Sequence, residues 1–226
     1  MPIEKIEGQG FVVGSRSAWV CLGDSITEAA DGYVSVMQNL VAAAYPERDI
    51  RLINAGIGGN RAPEMLDRLQ RDVIDYRPNV VTISVGVNDI WHGFQNPDTG
   101  EECPQGDSPR CVPIDRYAEM VGEMVDLLRE QTDARIALMA PTLIGEDVDE
   151  DTVANRKLDA YAAAMEKVAE SRSTIFIPLR AEMVRAVRAG RAANPGYKLT
   201  TDGVHMNPVG NTLMALSVLY GLGFAS

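Results

Sequence analysis

Short apolar runs alternate along this chain with longer stretches in which apolar residues recur every three or four positions. "AWVCLG" (18–23), "DIRLINAG" (49–56), "NVVTISVGV" (79–87), "ARIALMAP" (134–141) and "TIFIPLR" (174–180) are the runs, each short enough for a β-strand. The third is almost continuously apolar and β-branched, the pattern of a central parallel strand covered on both faces. Between the runs lie helical patterns. Val34, Met37, Leu40, Val41 and Ala44 share one face, as do Met65, Leu66, Leu69 and Val73 after an opening proline at Pro63. Tyr117, Met120, Val121, Met124 and Leu128 mark a third helix, and Leu158, Tyr161, Met165 and Val168 a fourth. A short helix is expected after strand five, and the final helix opens with Asn207 as N-cap followed by Pro208. Strands alternating with helices imply parallel pairing through right-handed crossovers. The expected fold class is therefore α/β, a three-layer α/β/α sandwich on a five-stranded parallel sheet, with residues 1–226 forming one domain.

In such a sheet the turns after the strands share the carboxyl edge, where ligands bind at the topological switch point. The unusual turns of this chain all fall there: "GDS" after strand one, "GIGGN" after strand two, "GVND" after strand three, "APT" after strand four, and "DGVH" beyond strand five. The chain holds only two histidines, His92 and His205. A serine nucleophile needs a base that takes its proton near neutral pH. His205 follows Asp202 by three residues, a spacing that lets the carboxylate reach the imidazole and fix its tautomer. Ser25 would be the nucleophile. The Ser25 N–H, the Gly59 N–H and the Asn88 amide are candidates for an oxyanion hole.

Each residue also has a plainer reading. Ser25 can simply cap a helix, Gly59 can punctuate a turn, Asn88 can cap its own loop, and Asp202 with His205 can be a loop ion pair. Their weight as chemistry comes from occurring together. Asp24 and Asp89 are expected to brace their turns, because an ionised carboxylate beside an oxyanion opposes its formation. Asn60, Trp91 and Thr142 are further candidates for the pocket. His92 is a rival base, though an ordinary loop histidine is the simpler reading. Trp91 suits a sugar-stacking platform or a packed lid. No serine stands in a G-x-S-x-G elbow, and strand one is not followed by a phosphate-cradling glycine loop.

"GDSITE", "NAGIGGN", "GVND" and "DGVH", in this order over residues 23–205, resemble the four sequence blocks of the SGNH, or GDSL-type, esterase and lipase family. The resemblance implies a flavodoxin-like sheet and hydrolysis of an ester through an acyl-serine intermediate without metal or other cofactor. "GVNDIWH", "APTLIGE" and "TTDGVHMNPVGN" look most like bacterial carbohydrate-acetylesterase-like members. The expected partner is accordingly a small ester, with an acetylated sugar first and a short-chain ester second. An acyltransferase using the same residues, or a catalytically silent carbohydrate-binding module, are the alternatives.

Composition narrows these readings. A net charge of -11, from 21 basic and 32 acidic residues, argues against nucleic acid as a partner. No apolar run approaches the roughly 18 residues of a membrane span. The start "MPIEKIEGQG" lacks a signal-peptide pattern, so a cytoplasmic location is expected, or a secreted or periplasmic one if a leader has been removed. The acidic "EDVDED" segment is expected to be a solvated loop. Cys103 and Cys111 flank a Pro- and Gly-containing loop in which a local disulfide is sterically plausible. Oligomeric state is left open.

Overall fold

The computed structural model describes residues 10–95 and 99–224; the leader expectation for the first residues lies outside them. Five parallel strands, β1 (Ala18–Gly23), β2 (Arg51–Gly56), β3 (Val80–Ser84), β4 (Arg135–Met139) and β5 (Ile175–Ile177), form one sheet in the order β2-β1-β3-β4-β5. The helices are α1 (Ser25–Glu28), α2 (Tyr33–Ala44), α3 (Ala62–Asp67), α4 (Leu69–Asp72), α5 (Val87–Trp91), α6 (Ile114–Gln131), α7 (Val153–Ser171), α8 (Leu179–Ala193) and α9 (Pro208–Gly221).

Successive strand residues point to opposite faces, and the two cores follow that alternation. Trp19 and Cys21 of β1 join Ala137 and Met139 of β4 in one core, with Met37 and Val41 of α2, Met183 and Val187 of α8, and Met214 and Val218 of α9. Val20, Leu22, Ile83, Ile136 and Leu138 enter the other, with Met65, Leu69, Val121, Met124, Leu158 and Met165. The three expected layers are therefore present. The order places the switch point between β1 and β3, whose carboxyl ends carry Ser25 and Asn88. Among the described residues no helix is long and apolar enough to cross a membrane.

Several boundaries differ from the sequence expectation. β3 ends at Ser84 rather than residue 87, because Gly86 adopts φ +124 and turns the chain directly into α5. The segment 174–180 is mostly not strand. Pro178 lacks the N–H a ladder needs, β5 stops at Ile177, and α8 runs 15 residues, burying Leu179, Met183 and Val187 at four-residue spacing. The single helix expected over Met65–Val73 is broken at Arg68 into α3 and α4. Cys103 and Cys111 are free thiols.

Candidate active site

β1 delivers Ser25 to the carboxyl edge. Asp24 N-caps α1 by accepting the Ile26 N–H at 2.9 Å, so the serine sits at the first helical position with its own N–H outside the helical ladder. The Ser25 hydroxyl lies 2.9 Å from His205 Nε2, and His205 Nδ1 lies 2.7 Å from Asp202 Oδ2. With the proton on Nδ1 donated to the carboxylate, Nε2 is left as acceptor for the Ser25 hydroxyl.

The loop holding Asp202 and His205 is fixed locally. Asp202 Oδ1 accepts the Val204 N–H at 3.0 Å and the His205 N–H at 2.8 Å, and the Thr201 N–H donates to the His205 carbonyl at 2.8 Å. Partial desolvation opposes the Asp202 charge, but the hydrogen bonds from the His205 ring and from these N–H groups outweigh it and hold the carboxyl at about 2. It is ionised throughout the neutral range.

In the turn after β2, where Gly58 approaches Ser25, the Gly59 N–H donates to no group of the protein among the described residues, and neither does the Ser25 N–H. Gly59 adopts φ +76, a conformation that favours glycine. The Asn88 amide is 3 % exposed and donates one hydrogen to the Asn60 carbonyl at 3.1 Å, leaving the second unused. Each of these three groups therefore has a hydrogen uncommitted to the protein among the described residues.

Asp24 and Asp89 stand behind this edge as structural braces. Burial pushes Asp24 up to about 6, against the Ile26 N–H and nearby His205, which favour its charge. Burial likewise pushes Asp89 up to about 7, against the Ala62 N–H, which Asp89 Oδ1 accepts at 2.9 Å; the charge of Asp24 raises it further. The Asp89 carbonyl accepts the Val112 N–H at 3.0 Å, so this one residue ties α5 both to the start of α3 and to the 99–113 loop. Asn60 is a frame residue. Its carbonyl holds Asn88 and its side chain accepts Arg68 Nε at 2.7 Å.

Trp91 is 39 % exposed and meets the His205 ring edge-on, with centroids 6.3 Å apart. No hydrogen bond joins His92 to Ser25; burial, followed by Arg110 and Arg61, lowers its pKa. Thr142 is 1 % exposed, and its only hydrogen bond among the described residues runs from Arg180 to its carbonyl; none joins it to Ser25 or His205.

Two framing residues escaped the sequence reading. Arg68, 7 % exposed, donates to the Gly23 and Ala55 carbonyls at 2.9 Å each, to Asn60 Oδ1, and to Asp72 at 3.1 Å. It clamps the ends of β1 and β2 and the Gly59–Asn60 turn. The only hint was an arginine flanked by the apolar positions Leu66 and Leu69. The second is Glu146, the exception to the solvated-loop reading of "EDVDED", whose Asp147, Asp149, Glu150 and Asp151 are exposed: it is 8 % exposed, and Oε1 accepts the Leu199 and Thr200 N–H groups at 3.0 and 2.7 Å as well as the Thr200 hydroxyl. It anchors the strand of loop leading into Asp202.

The GDSL-like Lipase/Acylhydrolase family matches this chain over residues 21–213, a span that contains every element of the Ser25–His205–Asp202 arrangement. The chain belongs to that family. It is a carboxylic ester hydrolase of the SGNH fold. An acetylxylan esterase from Geobacillus stearothermophilus is 28% identical to it over 94% of this chain and 96% of that protein. The crystal structure of that esterase superposes with a TM-score of 0.80, covering 95% of this chain and 97% of the other. An α/β hydrolase enzyme from the metagenome of Lake Arreo, Spain, is 25% identical and superposes at 0.81, covering 96% and 100%.

Proposed function

We propose that this family member removes acetyl groups from carbohydrate, with Ser25 as nucleophile, His205 as general base and acid, and Asp202 as the group that orients the imidazole. The observation that carries the reading is the unbroken chain of hydrogen bonds, 2.9 Å from Ser25 to His205 and 2.7 Å from His205 to Asp202. His205 takes the serine proton as Oγ attacks the ester carbonyl, and the imidazolium is stabilised by the carboxylate beneath it. Negative charge then develops on the acyl oxygen, where the Ser25 and Gly59 N–H groups and the free Asn88 hydrogen receive it. His205 Nε2–H passes the proton to the leaving alcohol. Water, deprotonated by the same nitrogen, releases acetate from Ser25.

The sugar-acetyl assignment draws on the Geobacillus stearothermophilus relative, an acetylxylan esterase. Solved structures of that enzyme include catalytic mutants in which a serine, an aspartate and a histidine are each replaced by alanine. That aspartate and histidine stand three residues apart, the separation of Asp202 and His205 here. Water as acceptor fits the openness of the site: the His205 and Asp202 side chains are 39% and 53% exposed.

The test is acetate release from acetylated xylan, with a p-nitrophenyl ester chain-length series beside it, for the wild type and Ser25→Ala. Acetate release with a preference for the acetyl ester, abolished in Ser25→Ala, is expected. No hydrolysis of any ester, or equal rates for both proteins, would overturn the mechanism.

A further inference from the structure

Beside His205 a cavity of about 530 Å³ opens, within the size range of small-molecule sites. Its walls include Trp91, His92, Phe94, Gln95, Glu102 and Arg110. Trp91 belongs both to this cavity and, through its edge-on contact with the His205 ring, to the reacting centre.

The position of the cavity follows from the proton's route. The histidine that takes the serine proton must return it to the alcohol oxygen, so the alcohol departs on the His205 side of the scissile bond. The oxyanion donors on Gly59 and Asn88 hold the acyl oxygen. The cavity that begins at Trp91 therefore receives what is attached to the alcohol oxygen.

Its surface chemistry says what that is. Trp91 and Phe94 supply aromatic surface, while the side chains of Gln95, Glu102 and Arg110 make no hydrogen bond or ion pair among the described residues. Aromatic faces ringed by uncommitted donors and acceptors match a pyranose, with its apolar C–H face and its equatorial hydroxyls. The walls are preformed. The Cys103 N–H donates to the Phe94 carbonyl at 2.7 Å, the Ser108 N–H and hydroxyl donate to the Gly93 and His92 carbonyls at 2.9 and 2.8 Å, and Arg61 Nη1 holds the Arg110 carbonyl at 2.9 Å. Binding there needs little further ordering.

We propose that this cavity is the leaving-alcohol subsite for a sugar of an acetylated oligosaccharide, with Trp91 as its stacking face and Glu102 and Arg110 as its hydroxyl partners. The proposal deepens the ester-hydrolase reading above and rests on it. Specificity for an oligosaccharide over a simple ester then resides in Trp91, Glu102 and Arg110 rather than in the Ser25–His205–Asp202 set.

The chain has two tryptophans, and Trp19 is fully buried, so a ligand-induced change in indole emission reports Trp91. Xylotetraose titrated into the Ser25→Ala protein should give a saturable emission change, and the Ser25→Ala/Arg110→Ala protein should bind it roughly tenfold more weakly. In active protein, Trp91→Ala and Arg110→Ala should lower kcat/KM for acetylated xylotetraose by about tenfold more than for p-nitrophenyl acetate. No saturable change, or equal losses on both substrates, overturns the subsite. Absence of hydrolysis in the wild type would instead overturn the esterase reading, while the xylotetraose titration would still decide the cavity.

Discussion

Replacing Arg68 with Met tests whether one buried guanidinium holds the catalytic edge together. Met fills most of the same volume, so packing loss is small and the change isolates the polar connections. Removing the guanidinium leaves the Ala55 carbonyl without its Arg68 donor, while the Gly23 carbonyl keeps the Ile57 N–H at 3.1 Å, the half-buried Asn60 amide regains water and Asp72 keeps Arg71. A buried acceptor that loses its donor costs about 1–3 kcal/mol, and removing the arginine charge recovers part of its own desolvation, so the net loss is roughly 2 kcal/mol. For a chain of this length that lowers Tm by about 4–8 °C. Because the Asn60 carbonyl positions Asn88, kcat should also fall, by about tenfold, the cost of a loosened rather than deleted oxyanion donor. Urea unfolding followed by circular dichroism reads the first effect as a lower midpoint at unchanged slope. Arg68→Lys should recover only part of either loss, since an ammonium cannot span the four acceptors that the fixed fork of the guanidinium reaches. A variant within about 1 kcal/mol of the wild type and with its kcat intact would refute the reasoning.

Other outcomes follow from the same geometry. Asn88→Ala should lower kcat by about a hundredfold or more with little change in KM, measured on p-nitrophenyl acetate, as expected for a donor engaged in the transition state. Asp89 holds its proton up to about 7 when folded against 3.8 when free, so between those values the folded chain retains a proton the unfolded chain has released. Stability should therefore fall as pH rises from about 4 to about 7, by roughly 4 kcal/mol from this residue, and then level off. Asp89→Asn should remove that part of the slope in urea unfolding measured across the range; a slope identical to the wild type would show that Asp89 is not the group. Asp202, held near 2, produces the opposite slope, in which stability is lost only as pH falls below about 4. Glu146→Ala should cut kcat without touching the reacting atoms, because the Thr200 N–H and hydroxyl lose the acceptor that seats the Asp202 loop. Full activity in that variant would free the loop from Glu146.

The parts of the fold legible in sequence were those with a simple period. All five strands are recognisable as short apolar runs, and their parallel pairing follows from alternation with helices, whereas their order in the sheet comes from the structure. Convergence of Ser25 on the loop of Asp202 and His205 is legible too, since the turns after parallel strands share one edge. What escaped has a common physical cause: the residues concerned are polar and act inside. Arg68 interrupts an apolar stripe yet is buried by three carbonyl-type acceptors, and Glu146 hides in an acidic run that hydropathy assigns to solvent. The sequence suggests only a short helix at α8 because its arginines dilute the Leu179–Met183–Val187 stripe. The sequence places Trp91 between stacking and packing, and its exposure beside His205 separates the two.

The most direct measurement of the central claim is covalent labelling with a fluorophosphonate, which reacts with a serine whose proton is removed by a neighbouring base. Mass mapping of the labelled wild type should place one adduct on Ser25, with loss of esterase activity in step with labelling. His205→Ala should label slower by several powers of ten, and Ser25→Ala not at all. An adduct on another residue, or equal labelling rates in wild type and His205→Ala, would contradict the account.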